Sequence, residues 1–289
     1  MNKQGIYELK REEIEELKQL AIQTRKDFGV YLNVPLGSDI RMILEKEDIL
    51  LCEYPFDDAD ETNTYGNITW FKSGSESFTF IGLNTSSYYD EQIFALAHEI
   101  YHYKTKTGIA YSPDIDTEDE ITEKKADRFA AELLLPADEL KRIVYETFGI
   151  YEISDATELK ILRLIARLQC EWWLPYKSLI KRLLEENIID KKVFETLYGI
   201  ECRDENSKYV RILKSTDNEI ADLLNKKTRS VGVSNRVIET IINNYEDGLI
   251  DDDEFTKQLA LFDKKPDDYG FEIIDELDDE LKEYFGSGD

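Results

Sequence analysis

The chain has 289 residues, 42% of them hydrophobic and 11% aromatic, which is enough apolar material for one large or two modest folded domains. Its formal net charge is -26, with 36 Lys and Arg against 62 Asp and Glu. Such a surface repels a phosphate backbone, so direct nucleic-acid binding is not expected, while a basic partner or one that itself binds DNA is favoured.

The opening Met-Asn-Lys-Gln-Gly-Ile-Tyr is not apolar, and no run of 18 apolar residues occurs anywhere, so neither a signal peptide nor a membrane span is expected. Cys52, Cys170 and Cys202 are odd in number, far apart and without a CxxC pair, which suits reduced thiols in a cytoplasm and disfavours a cysteine-based zinc site.

Apolar positions at helical spacing predict a first helix over 8–28, ending near Gly29. A second follows from Asp39 to Lys46. Ile49–Tyr54 reads as a strand, 57–63 as an acidic loop, and Tyr65–Phe71 and Phe78–Leu83 as two further strands. Asp90 to Lys104 is a helix with Ile93, Leu96, Ile100 and Tyr103 as its apolar stripe. After a polar linker at 112–117, Glu118 to Leu135 forms the next helix, stopped by Pro136. Beyond it, helices are predicted at about 138–148, 157–169, 175–187, 191–198, 217–226, 233–246 and 252–262, with an acidic tail from Lys264 that is expected to be partly disordered. The organisation expected is an N-terminal helical segment at 1–34, a small α+β unit at 35–150, a helical extension at 151–199 and an acidic helical region at 200–289.

The sequence holds only two histidines, and they stand four apart as His98-Glu99-Ile100-Tyr101-His102. On a helix both imidazoles share a face and can reach one ion, with Glu99 beside them to take a proton from a metal-bound water. Zinc brings the pKa of such a water from 15.7 toward about 7, which is the chemistry of peptide hydrolysis. The plain alternative is a pair of packed histidines, weakened by the acidic residue between them. A catalytic zinc takes three protein ligands and leaves one position open. With no third histidine, a carboxylate is the natural candidate. Glu123 and Asp127 lie one turn apart in the next helix: Glu123 can ligate the ion or be a solvated surface carboxylate, and Asp127 can orient a ligating histidine or be a surface residue. Tyr101, Tyr103, Tyr111 or an arginine could assist the oxyanion, with nothing in the sequence to choose among them.

His98-Glu-Ile-Tyr-His102 together with Glu123-x-x-Ala-Asp-x-Phe-Ala-Ala-Glu-Leu-Leu-Leu-Pro136 resembles the ImmA/IrrE family of metallo-endopeptidases, over about 35–150. The resemblance implies a zincin-like α+β core with a small sheet and an HExxH helix, followed here by a mostly helical C-terminal region. It also implies Glu123 as the third zinc ligand. Many members carry a second glutamate where Lys125 stands, so this chain lacks that rival ligand. The function implied is a cytoplasmic endopeptidase of narrow range that cuts a regulatory protein, typically a helix-turn-helix repressor encoded beside it on a mobile element, or that acts in a stress-response switch.

The pair 157–169 and 175–187 also resembles a helix-turn-helix, locally basic through Lys160, Arg163, Arg167, Lys177, Lys181 and Arg182, but in so acidic a chain an amphipathic pair with a solvated cationic face is the preferred reading. Trp172 and Trp173 fit a core or a docking patch. The acidic stretch after 217 does not have the ligand spacing of an EF-hand and reads as solvated helices, or as a surface that competes with DNA for a basic substrate. An active zinc endopeptidase is therefore the leading expectation. A catalytically silent metal-binding regulator comes second, and a DNA-binding regulator third.

Overall fold

The computed structural model describes residues 9–56, 65–73, 76–107 and 118–273. Helix α1 (Arg11–Asp27) buries Leu17 and Ala21, and a 3-10 turn at Gly37–Asp39 leads into α2 (Ile40–Lys46), which buries Ile40, Ile43 and Leu44. Strands β1 (Ile49–Tyr54), β2 (Gly66–Ser73) and β3 (Glu76–Asn84) then form a mixed sheet. β2 runs antiparallel to β3, with Ile68 opposite Ile81, and β1 runs parallel to β3, with Leu51 opposite Ile81. Those three side chains are buried, so one face of the sheet faces the core.

Helix α3 (Tyr89–Thr105) carries two stripes. Ile93, Leu96, Ala97, Ile100 and Tyr101, spaced three and four apart, are buried in the core. The neighbouring stripe carries the two histidines. Helix α4 (Glu118–Leu134) sinks Ala126, Phe129, Ala130 and Leu133 into the same core, and Phe129 meets Tyr101 at a ring separation of 5.6 Å. Pro136 has no N–H to continue the ladder and becomes the residue that opens α5 (Ala137–Phe148).

The helical extension consists of α6 (Glu158–Trp172), α7 (Tyr176–Glu185), α8 (Lys191–Tyr198), α9 (Lys208–Thr216) and α10 (Asn218–Leu224). α6 runs through Cys170 to Trp172, further than its predicted end at 169. Trp172 is buried, and the chain turns only at Trp173, whose φ is 58°. α9 was not expected from the sequence. Its β-branched and aromatic start, Tyr209-Val210, gives little helical signal, and burial of Tyr209, Val210 and Leu213 together with the Ser207 cap decides it.

The chain divides into two compact units, Met1–Ser230 and Val231–Asp289. Composition suggests boundaries after 34, 150 and 199. In the first unit, however, Leu17 of α1, Leu162 of α6, Tyr209 and Leu213 of α9 and Ala221 of α10 belong to one hydrophobic core with the sheet and α3. A charge count reads the surface and cannot see this shared interior. In the second unit, α11 (Asn235–Glu246) and α12 (Asp252–Ala260) close a small core of Ile238, Ile241, Phe255 and Leu259, with Tyr245 stacked on Phe255. The first part of the acidic tail is folded: Pro266–Tyr269 makes a 3-10 turn and Phe271 meets Phe255 edge-on. The rest of the tail, from 274, and the predicted loops at 57–63 and 112–117 lie outside the described residues.

Opposite charges tie the first unit together inside. Arg128 and Arg182 are almost fully buried and pair with Glu132 and Glu186, which join α4 to α7. Arg182 is thus an interior residue, although its type and position suggested a cationic surface face. Among the described residues no helix is long and apolar enough to cross a membrane.

Candidate metal centre

On α3, Glu91, Phe94, Ala95, His98, Glu99 and His102 occupy positions i, i+3, i+4, i+7, i+8 and i+11, so they form a continuous stripe, and all of them line one cleft of about 640 Å³. The lining also includes β2, through Gly66, Asn67 and Ile68, and Tyr65 just before it. Glu123 and Asp127 of α4 complete the cleft at the histidine end.

The predicted residues converge there. Nε2 of His98 lies 3.2 Å from Nε2 of His102 and 3.0 Å from Oε2 of Glu123, and Nε2 of His102 lies 3.4 Å from Oε1 of Glu123. A tetrahedral ion held by bonds of about 2.0–2.1 Å needs ligand separations of about 3.3 Å. The donor set therefore fits such an ion in both chemistry and spacing. Among the described residues, His98, His102 and Glu123 are the one group of three metal-ligating side chains that approach one another this closely. The Glu123 side chain is 56% exposed, so one side of the triangle is open to solvent.

Asp127 Oδ1 accepts a hydrogen bond from Nδ1 of His98 at 2.9 Å. An ionised carboxylate can only accept, so the proton sits on Nδ1 and Nε2 is left to face the centre. Nδ1 of His102 stands 3.3 Å from the Thr107 hydroxyl. Lys125, at the position where a second glutamate would compete, pairs instead with Glu13 of α1.

Electrostatics follow the same geometry. Burial pulls the His98 pKa down, but hydrogen bonds to Asp127 and Glu123 outweigh it and raise the value to about 10. Bonds from His102 and His98 hold Glu123 down at about 2. Glu99 is only 5% exposed, and burial pushes its pKa above the usual carboxylate range against the pull of both histidines. A carboxylate raised in this way is suited to holding and releasing a proton.

Sequence reasoning passed over Gly66. A Cβ built there would stand 3.3 Å from Oε1 of Glu99 and 3.3 Å from the Gly82 carbonyl, so the missing side chain is what lets β2 come up against Glu99. A glycine at the start of a strand was the available signal. Of the tyrosines considered for the oxyanion, Tyr101 is buried against Phe129, Tyr103 is absent from the cleft lining and has Lys106 over its ring, and Tyr111 lies outside the described residues. The tyrosine in the cleft is Tyr65.

Residues 44–184 match the family model for the IrrE N-terminal-like domain, peptidase M78. This segment, just under half of the chain, is similar to the peptidase M78 family. The M78 segment carries both motifs, His98 to His102 and Glu123 to Pro136, and runs past residue 150 through α6 and almost all of α7. The segment that matches this metallopeptidase family model thus contains the His98, His102, Glu123 group, whose ligand atoms are close enough to hold one metal ion. No curated protein and no solved structure matches the chain.

Proposed function

We propose that the chain is a cytoplasmic, zinc-dependent endopeptidase of narrow specificity that cuts a regulatory protein, with a helix-turn-helix repressor as its substrate. The observation that carries the reading is the meeting of three ligand atoms, from His98, His102 and Glu123, beside the carboxyl of Glu99 in an open cleft of the M78 domain. Zinc bound by these three side chains supplies Lewis acidity, polarising a carbonyl and making water nucleophilic near neutral pH.

The protein's own groups do the rest. Glu99 takes the proton from the attacking water on its carboxylate and delivers it to the leaving amide nitrogen. Asp127 keeps the His98 ring in the orientation that points Nε2 inward. Among the described strands β2 pairs only with β3, so its outer edge offers backbone groups to an extended peptide lying in the cleft. The formal charge of -26 supports a basic substrate, since opposite charge steers encounter.

The test is metal analysis and cleavage assay of the full chain and of Glu99→Gln. The variant is expected to keep zinc and fold and to lose cleavage of a neighbouring-gene repressor or of a peptide library by about 10²–10⁴-fold. A wild-type protein that binds zinc and a repressor but cuts nothing would instead be the silent regulator.

A further inference from the structure

We propose that Lys177 is a specificity-determining residue that binds a carboxylate of the substrate at the end of the cleft remote from the metal ligands. The proposal rests on the peptidase reading and adds to it what the substrate must carry.

The α3 stripe gives the cleft a direction. From His98 back to Glu91 is seven residues, or about 10 Å of helix. An extended peptide advances about 3.3 Å per residue, so a substrate reaching from the ligands to the Glu91 end places a side chain there about three residues from the scissile bond. Lys177 lines the cleft from α7, next to Pro175 and Ser178. Its end of the cleft is identified by two contacts: Trp173, in the segment that leads into α7, meets Tyr89 at the start of α3 at a ring separation of 5.9 Å, and Arg203 lies 4.1 Å from the centre of the neighbouring Tyr88 ring. Arg203 in turn bonds Oε1 of Glu91 at 3.1 Å.

The charges at this end are not balanced alike. Glu91 has both oxygens engaged, Oε1 by Arg203 and Oε2 by the Tyr88 backbone N–H. Its charge is therefore answered within the protein and offers little to a cationic ligand. Lys177 is the one lysine or arginine among the described lining residues, it is exposed, and it makes no ion pair there. Its ammonium lies over the Tyr198 ring at 5.2 Å. Lys177 also stands in the first turn of α7, where the helix dipole disfavours a positive charge. Helix stability does not account for a cation here, the Tyr198 ring leaves the ammonium's charge unneutralised, and in a chain of net charge -26 such a lysine lining a cleft selects an anion. The carboxylate can come from an Asp or Glu side chain or from the substrate's own C-terminus.

The experiment uses the full zinc-loaded chain with two probes. A positional-scanning peptide library locates cleavage preferences for wild type, Lys177→Gln and Lys177→Glu. Matched fluorescent peptides, with Glu or Gln at the third residue on either side of the cut and with free or amidated C-termini, are titrated onto the Glu99→Gln protein with and without the Lys177 changes. Lys177 is exposed, so both variants should keep the wild-type circular dichroism and zinc content.

Wild type is expected to favour an acidic residue, or a free C-terminus, at the end of the cleft. Lys177→Gln should lose about fivefold in affinity for the acidic peptide, as an accessible ion pair allows, with the Gln peptide unaffected. Lys177→Glu should turn the preference toward Lys and Arg. Loss of the preference on amidation alone assigns the carboxylate to the C-terminus, and its survival assigns it to a side chain. If Lys177→Glu keeps wild-type preference and affinity while cutting normally, the role of Lys177 is wrong and the peptidase reading stands. If wild type neither cuts nor binds any peptide, the peptidase reading falls and this assignment falls with it.

Discussion

Arg203 of the segment between α8 and α9 reaches Asp90 at the start of the histidine helix, with Nη2 2.7 Å from an Asp90 oxygen. Asp90 is fully buried, and its other oxygen accepts from Gln169 of α6 at 2.8 Å, so three parts of the chain meet on one carboxylate. The same arginine bonds Glu91 in the cleft wall. Burial pushes the Asp90 pKa up, and the charge of Arg203 opposes it. Arg203→Ala should therefore leave a buried charge without its partner and cost about 3–5 kcal/mol, read from urea unfolding. Adding Asp90→Asn removes the stranded charge and should recover part of that loss. An Arg203→Ala protein as stable as wild type would show that the contact contributes nothing.

Asp127→Ala is expected to weaken metal binding by about 10–100-fold, because Nδ1 of His98 loses the acceptor that orients the ring. Competition with a chromogenic chelator measures it. An unchanged affinity would reduce Asp127 to a surface residue of α4.

Metal uptake should release a proton. Without metal the His98 pKa is about 10, so at pH 7 the ring is cationic and Nε2 must lose its proton before it can ligate. Affinity should rise with pH up to about 10, and calorimetry in buffers of different ionisation enthalpy should count the proton released. The stability of the metal-free protein has the opposite slope over that range. The raised His98 pKa contributes fully below the unfolded value of about 6.5 and is lost as pH rises through about 10. On the acid side, Glu123 contributes above the unfolded value of about 4.5 and loses its contribution as pH falls toward about 2. Unfolding midpoints across pH, with and without a chelator, check both limbs. Glu123→Gln should remove the acid limb and shrink the His98 limb without abolishing it, because the bond from His98 to Asp127 remains.

Truncation after Ser230 should leave a protein that folds and binds metal, since Met1–Ser230 is compact and contains the M78 segment and the whole centre. If the acidic residues beyond it recognise a basic substrate, cleavage of that substrate should fall, and the full chain's advantage should shrink as salt screens exposed charges beyond about 8 Å. Equal cleavage by both forms at low salt would remove that role. A cut at residue 200 tests something else, because it strips Tyr209, Leu213 and Ala221 from the core and Arg203 from Asp90.

The sequence alone determined most of the local elements and the histidine pair of the candidate centre. The spacing of Ile93, Leu96 and Ile100 specifies a helix, and two histidines four apart with Glu99 between them specify what that helix presents. These are properties of neighbours along the chain, and helical periodicity converts them directly into a shared face. Tertiary structure decided whatever depends on distant segments meeting. Spacing alone leaves Glu123 and Asp127 open to a surface reading, the resemblance speaks for Glu123 only, and it is the packing of α4 beside α3 that brings both to His98. Gly66 is an ordinary strand glycine until β2 lies against Glu99, and Lys177 an ordinary surface cation until α7 forms a wall of the cleft. Arg182 and Arg203 carry the charge of surface residues, yet they sit among buried carboxylates supplied by other helices. A side chain's environment in these cases is set by which faces bury against each other, and that follows from the packing of the whole core rather than from any stretch within it.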